Sequence, residues 1–162
     1  MDTSAFLRGI QDQSGYRDQV VHVERLKARR ARYGRLDRPL PPVLQSALRD
    51  IGVDRLFTHQ ARAVNAVRGG QHLILATGTA SGKTLAYNLP VLEALVTDPR
   101  ARALYLFPTK ALAQDQLRGL GELTAGEGVQ LALGGKLFGT YDGDTARGAR
   151  GGLRRSASII LT

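Results

Sequence analysis

Twelve residues, Leu73-Ile-Leu-Ala-Thr-Gly-Thr-Ala-Ser-Gly-Lys-Thr84, hold the densest chemistry in the chain. Gly78 and Gly82 let the backbone approach a ligand with no Cβ in the way. Around them Thr77, Thr79, Ala80 and Ser81 are small, so successive N–H groups can turn inward on a polyphosphate. A helix beginning at Lys83 would add the partial positive charge of its N-terminus. In the pattern G-x-x-x-x-G-K-[ST], the lysine reaches the β and γ phosphates and the following hydroxyl ligates Mg²⁺. Lys83 and Thr84 fill those two places, and Thr77 to Thr84 is the candidate phosphate-binding segment. The first of the eight positions is Thr77, with the glycine one place later at Gly78. The alternative is a Gly/Ser/Thr-rich turn that only caps a helix.

The elements around this loop must place it. Leu73 to Ala76 is a short apolar run that suits a strand buried on both faces. The helix after the loop carries Leu85, Leu89, Leu92 and Val96 as its buried stripe, with Pro90 expected to kink it near Leu89. Upstream, Pro39-Leu-Pro-Pro42 heads a helix with Val43, Leu44, Ala47, Leu48 and Ile51 on one face, stopped by Gly52. A second helix runs from Thr58, the expected N-cap, to Gly69-Gly70. Downstream, Ala103 to Phe107 reads as a second buried strand, followed by a long amphipathic helix with Leu112, Gln116, Leu117, Leu120 and Leu123 on one side. Strand, helix, strand, helix predicts a parallel α/β sheet with right-handed crossovers.

The stretch from Thr124 to Gly135 is glycine-rich and carries no clear period. Leu137 to Tyr141 reads as a third strand, ended by Asp142-Gly-Asp-Thr145. A weak helix over Arg147–Arg155 contains three glycines, each costing about 1 kcal/mol against alanine. Ser158 to Thr162 is an apolar strand, and a chain ending there reads as the front portion of a longer protein.

Bulk properties narrow the class. The 162 residues are enough for one domain with a sizeable core, and 43% hydrophobic with 23% charged residues reads as globular. There are no cysteines, so disulfides and cysteine-held zinc are excluded within this chain. No apolar run is long enough for a membrane span, and the start lacks a signal-peptide layout, so a cytoplasmic protein without a membrane partner is expected. The net charge of +9, with 19 Arg against 4 Lys, favours a polyanionic partner, nucleic acid first. Residues 1–38 read as a basic N-terminal leader, whose run Arg25–Arg32 is either a nucleic-acid arm or a solvated face. Residues 39–162 then form the structured domain.

Three further stretches flank the phosphate loop. Phe57-Thr-His-Gln60, with Gln60 seventeen residues before Thr77, resembles the Q motif of superfamily-2 helicases. Pro108-Thr-Lys-Ala-Leu-Ala-Gln114 resembles motif Ia, and Ile159-Ile-Leu-Thr162 resembles the strand leading into motif Ib. The spelling Ala76-Thr-Gly-Thr-Ala-Ser-Gly-Lys-Thr84, together with Tyr141-Asp-Gly-Asp-Thr145, is similar to a narrower group of DEAD/DEAH-box proteins. These are the YprA/MrfA-type DNA-repair helicases and their eukaryotic relatives. The resemblance implies a P-loop NTPase of RecA-like fold that binds ATP and Mg²⁺ and acts on single-stranded or partly duplex nucleic acid, DNA before RNA. It implies that Gln60 reads adenine, Phe57 stacks on the base, and Lys83 and Thr84 are the catalytic pair, Thr84 being the Mg²⁺ ligand. It further implies that Pro108, Thr109, Lys110, Gln114 and Thr162 follow the nucleic-acid backbone.

The departures are as informative. The family hydrolyses ATP with a D-E-x-H motif, and none occurs in these residues. Asp142-Gly-Asp144 has its second carboxylate one residue late for that role. In the RecA-like fold the motif II and III strands lie between the P-loop and motif Ia strands, and a second RecA-like domain supplies an arginine finger. The expectation is therefore an incomplete sheet and a chain inactive by itself. Two rivals stand beside the helicase reading: a small P-loop kinase, and a basic nucleic-acid-binding module with a vestigial P-loop.

Overall fold

The computed structural model describes residues 2–27 and 30–162. Ala28 and Arg29, inside the basic run 25–32, lie outside the described residues. The chain divides into two compact units, Met1–Arg30 and Ala31–Thr162. The first holds helix α1 (Thr3–Gln11), started by Asp2, whose carboxylate accepts the N–H groups of Ser4 and Ala5 at 2.9 and 3.2 Å. An acidic N-cap with Leu7 and Ile10 three apart is the local signal that makes a helix here.

The second unit begins at Ala31, ahead of the Pro39 expected from composition, because 32–34 is paired along the chain at 56–58. Thr58 N–H donates to the Arg32 carbonyl at 2.9 Å, Gly34 N–H donates to the Leu56 carbonyl at 3.0 Å, and Tyr33 and Phe57 form an antiparallel bridge. Helix α2 (Pro42–Asp50) has proline at its start and buries Leu44, Ala47 and Leu48; Gly52, at φ +75°, closes the turn after it. Helix α3 (Thr58–Arg68) takes Phe57 rather than Thr58 as its N-cap, and α4 (Lys83–Thr97) runs through Pro90 as one helix. These two helices are clamped by Arg68, whose guanidinium donates to both carboxylate oxygens of Glu93 at 2.7 and 2.8 Å. The same guanidinium reaches the carbonyls of Arg38 and Pro39, so the residues entering α2 are held as well.

The remaining elements are β1 (Ala103–Tyr105), α5 (Lys110–Leu123), α6 (Glu127–Leu133), β2 (Leu137–Thr140), α7 (Arg147–Ser156) and β3 (Ala157–Leu161). The three strands form a parallel sheet in the order β1-β3-β2, as an α/β chain with helical crossovers requires. Central β3 is the most buried, with Ile159 and Leu161 fully enclosed; Leu89 and Leu92 of α4 and Leu120 of α5 belong to the same core. Helix α6 occupies the glycine-rich stretch that showed no period. Gly126 and Gly134 bracket it as caps, Gly134 at φ +59°, while Val129 and Leu133, four residues apart, supply its buried side.

Two strand expectations change. Leu73–Ala76 is not a strand, and Ile74 is 95% exposed. A parallel strand exists only through its neighbours' hydrogen bonds, and among the described residues none pairs with this segment. The 103–107 run is buried on one side only: Leu104 and Leu106 are 61% and 72% exposed, because β1 is an edge strand with one uncovered face.

Candidate functional site

The loop from Thr77 to Gly82 leads into α4. It turns through two residues with left-handed backbone, Ala80 at φ +54° and Gly82 at φ +78°. Ala80 is a non-glycine residue in that region, a conformation costing on the order of 1 kcal/mol that surrounding contacts must impose. One such contact crosses the loop: the hydroxyls of Thr77 and Ser81 are hydrogen bonded at 2.8 Å. From the helix side, Lys83 Nζ donates to the carbonyls of Thr77 at 2.8 Å and Gly78 at 2.6 Å. The chain makes a tight turn at Thr79 and Ala80. Loop N–H groups, an ammonium and a helix N-terminus stand together here, a set of groups suited to an oxyanion-rich ligand. Thr84, half-buried in the first turn of α4, is placed beside Lys83. No cluster of three or more His, Asp or Glu forms a metal site among the described residues, so a cation at Thr84 would take its other ligands from phosphate oxygens and water.

Gln60 joins this loop to α3. Its Oε1 accepts the Phe57 N–H at 2.8 Å and caps the helix, while its Nε2 donates to the Gly82 carbonyl at 3.0 Å. The side chain is 3% exposed. The positive φ at Gly82 favours glycine, and a Cβ there would lie 2.5 Å from that Nε2 and displace the amide from its carbonyl. The glutamine is thus a strut between Phe57–Gln60 and the loop. Each end of its amide keeps one unused hydrogen-bonding capacity, a second N–H and a second lone pair.

Phe57 is 38% exposed and lies in an aromatic group. Its ring is near-parallel to Tyr33, with centroids 5.5 Å apart and planes at 12°, and to His59 at 6.0 Å and 15°. The Arg55 guanidinium carbon sits 4.1 Å from the Tyr33 ring centroid. Sequence reasoning placed Tyr33 in a leader and missed it. The available signal was an aromatic followed by glycine in an otherwise polar run. A Cβ at Gly34 would meet the Ala61 Cβ at 2.7 Å, so only glycine lets this segment lie on α3.

The second set of residues meets at the C-terminal ends of β1 and β3. Thr162 is bound through its backbone to both sides of the β1 exit, its N–H to the Tyr105 carbonyl at 2.9 Å and its carbonyl to the Phe107 N–H at 2.7 Å. Exposed Pro108 follows, and Thr109 is the N-cap of α5, its hydroxyl accepting the Leu112 N–H at 3.2 Å. Lys110 Nζ is paired with Asp144 Oδ2 at 2.6 Å, and Gln114 Nε2 donates to the Thr140 hydroxyl at 3.1 Å. The hydrogen bond that Lys110 donates to the Asp144 carboxylate is the main cause of a raised Lys110 pKa, keeping this exposed ammonium charged. Asp142 and Asp144 are parts of a built turn: Asp142 Oδ1 accepts the N–H groups of Asp144 and Thr145, while Arg150 holds the carbonyls of Asp142, Gly143 and Thr145.

Comparison with known proteins gives the family of the chain. Residues 57–162 match the DEAD/DEAH box helicase family. The chain is 41% identical over 145 residues to the uncharacterized ATP-dependent helicase YprA of Bacillus subtilis, covering 90% of this chain and 19% of that protein. It is 38% identical over 159 residues to the ATP-dependent helicase hrq1 of Schizosaccharomyces pombe, covering 96% of this chain and 15% of the relative. The crystal structure of the DUF1998 helicase MrfA bound to DNA and AMPPNP matches with a TM-score of 0.79 at 36% identity, over 98% of this chain and 21% of that one. The chain therefore spans about a fifth or less of the relatives it matches. No helix among the described residues is long and apolar enough to cross a membrane. By the family match over most of its length, and with its parallel sheet and loop-to-helix site in place, the chain belongs to the DEAD/DEAH box helicases.

Proposed function

We propose that these residues are the nucleotide-binding portion, with part of the nucleic-acid track, of an ATP-dependent DNA helicase. The observation that carries this reading is the Gln60 amide spanning the Phe57 N–H and the Gly82 carbonyl, which fuses a base-side segment to a phosphate-side loop. In this reading Thr77, Gly78, Thr79, Ala80, Ser81 and Gly82 wrap the phosphates, and Lys83 exchanges its two carbonyl partners for β and γ phosphate oxygens. The Thr84 hydroxyl would ligate Mg²⁺, which supplies charge neutralisation on the phosphates when bound. Phe57 offers a ring face to the base, and the unused N–H and lone pair of Gln60 match an adenine edge. Residues 1–30 form a separate basic unit, and residues 31–162 form the first RecA-like domain as far as this chain carries it.

Thr109, Lys110 and Thr162 converge at the strand ends where open α/β sheets bind ligands. Pro108, Gln114 and the α5 N-terminus complete a surface for a phosphate backbone, with DNA favoured by the relatives' character. Since Asp144 already holds Lys110, a DNA phosphate competes with that carboxylate for the same ammonium. Lys110→Ala is expected to lower the log–log salt slope of single-stranded DNA binding by about 0.7, one phosphate equivalent. Asp144→Asn should shift affinity the other way. Fluorescence anisotropy across a salt series measures both, and a slope unaltered in Lys110→Ala contradicts the contact.

A further inference from the structure

We propose that the groove between residues 34–40, helix α2 and residues 53–56 docks an acidic segment of a partner protein carrying one large apolar side chain. The lining falls between Gly34 and Leu56, ahead of the phosphate loop, so the proposal goes beyond the nucleotide reading. Three observations carry it. The groove has a volume of about 690 Å³ and an aliphatic floor, formed by the buried Leu40, Leu48 and Leu56. Its rim is cationic: Arg35, Arg49 and Arg55 are exposed there, against Asp54 as the one carboxylate in the lining. Its walls are fixed from within the chain. The Arg35 carbonyl accepts the Asn65 amide at 3.1 Å, Gln45 Nε2 donates to the Leu40 carbonyl at 2.7 Å, and Val53 N–H donates to the Leu48 carbonyl at 2.7 Å.

The chemistry selects the occupant. An apolar floor and a charged rim are the two layers of a protein–protein contact, in which a buried anchor supplies affinity and rim charges choose the partner. A leucine or phenylalanine seated on the three leucines would leave water, and carboxylates beside it would face the guanidiniums. Arg55 is already oriented for this. Its guanidinium carbon lies 4.1 Å from the Tyr33 ring centroid, and a guanidinium stacked by its face keeps its in-plane N–H groups for an acceptor. Nucleic acid fits the rim alone: single strands are held by a cationic track with aromatic stacking faces, and this floor is aliphatic. The fixed walls reduce the ordering cost of docking, so a short segment suffices.

Fluorescence anisotropy of the 162-residue chain with a labelled synthetic peptide, one leucine flanked by aspartates, tests the proposal. Saturable binding is expected, weakened about 10-fold when alanine replaces the peptide leucine. Arg35→Glu and Arg49→Glu are each expected to weaken it about 3- to 10-fold, because reversal turns a rim attraction into a repulsion. Both side chains are exposed, so the fold should persist, with circular dichroism as the control. Arg100→Glu, at an exposed arginine outside the groove, should leave peptide affinity unaltered, and all three variants should bind single-stranded DNA alike. A peptide that fails to bind, binding indifferent to its leucine, or equal weakening by Arg100→Glu overturns the docking site. So does a loss of DNA affinity confined to Arg35→Glu and Arg49→Glu, which would assign the rim to nucleic acid.

Discussion

Lys83→Ala is expected to reduce Mg-ATP affinity about 10- to 150-fold, the value of one charge-assisted hydrogen-bonding group to phosphate. Among the described residues, Lys83 Nζ is the one ammonium whose hydrogen bonds lie on the Thr77–Gly82 loop, held there by the Thr77 and Gly78 carbonyls. The substitution removes the cation and leaves the loop N–H donors, so binding weakens steeply without vanishing from geometry alone. The fold should survive, because Gly78 is exposed, Thr77 is half-buried, and water can satisfy both carbonyls. The α3–α4 clamp of Arg68 on Glu93 is untouched. Titration calorimetry with circular dichroism as the folding control measures the effect. Equal affinities for wild type and variant, in a folded protein, contradict the phosphate assignment.

The largest difference concerns turnover. These 162 residues by themselves are expected to release no phosphate above background from ATP, with or without single-stranded DNA. Phosphoryl transfer to water needs a positioned water, a held Mg²⁺ and a neutralised transition state, and an arginine finger alone contributes about 10³- to 10⁵-fold. Lys83 and Thr84 address the phosphates and the metal. The Asp142–Asp144 pair cannot stand in for the missing carboxylates, because Asp142 is spent on the turn and Asp144 on Lys110. A longer protein that adds a D-E-x-H motif and a second RecA-like domain should hydrolyse ATP in a DNA-stimulated manner. Steady-state phosphate release from both proteins decides it, and turnover by the 162-residue chain that disappears in Lys83→Ala contradicts the argument.

Much of this was legible from local patterns. The helices at 42–50, 58–68, 83–97 and 110–123 follow apolar spacing and flanking Pro, Gly or Thr, which act within one or two turns. The turn from Thr77 into the helix at Lys83 was legible for the same reason, since its glycines and small residues act locally. What sequence could not reveal depends on distant partners. Leu73–Ala76 has the composition of a strand, yet strand formation requires a neighbour, and Ile74 stands in solvent. Tyr33 sits in a polar stretch and acquires meaning only by pairing with Phe57, twenty-four residues later in the chain. Gln60 was read for adenine; its strut to Gly82 needed the loop's curvature to be known. The ion pair of Lys110 with Asp144 likewise joins the first residue of α5 to a turn that no periodicity links to it.

The most direct measurement is a Mg-ATP titration of isotopically labelled chain followed by backbone amide NMR. If Gln60 fuses a base site to a phosphate site, chemical-shift changes should concentrate at Gly78–Thr84 and, together with them, at Phe57–Gln60, and both sets should move together to about 10- to 150-fold higher Mg-ATP in Lys83→Ala. Shifts confined to the arginines of 147–155, unaltered by Lys83→Ala, would show ATP held only by surface charge and would contradict the site.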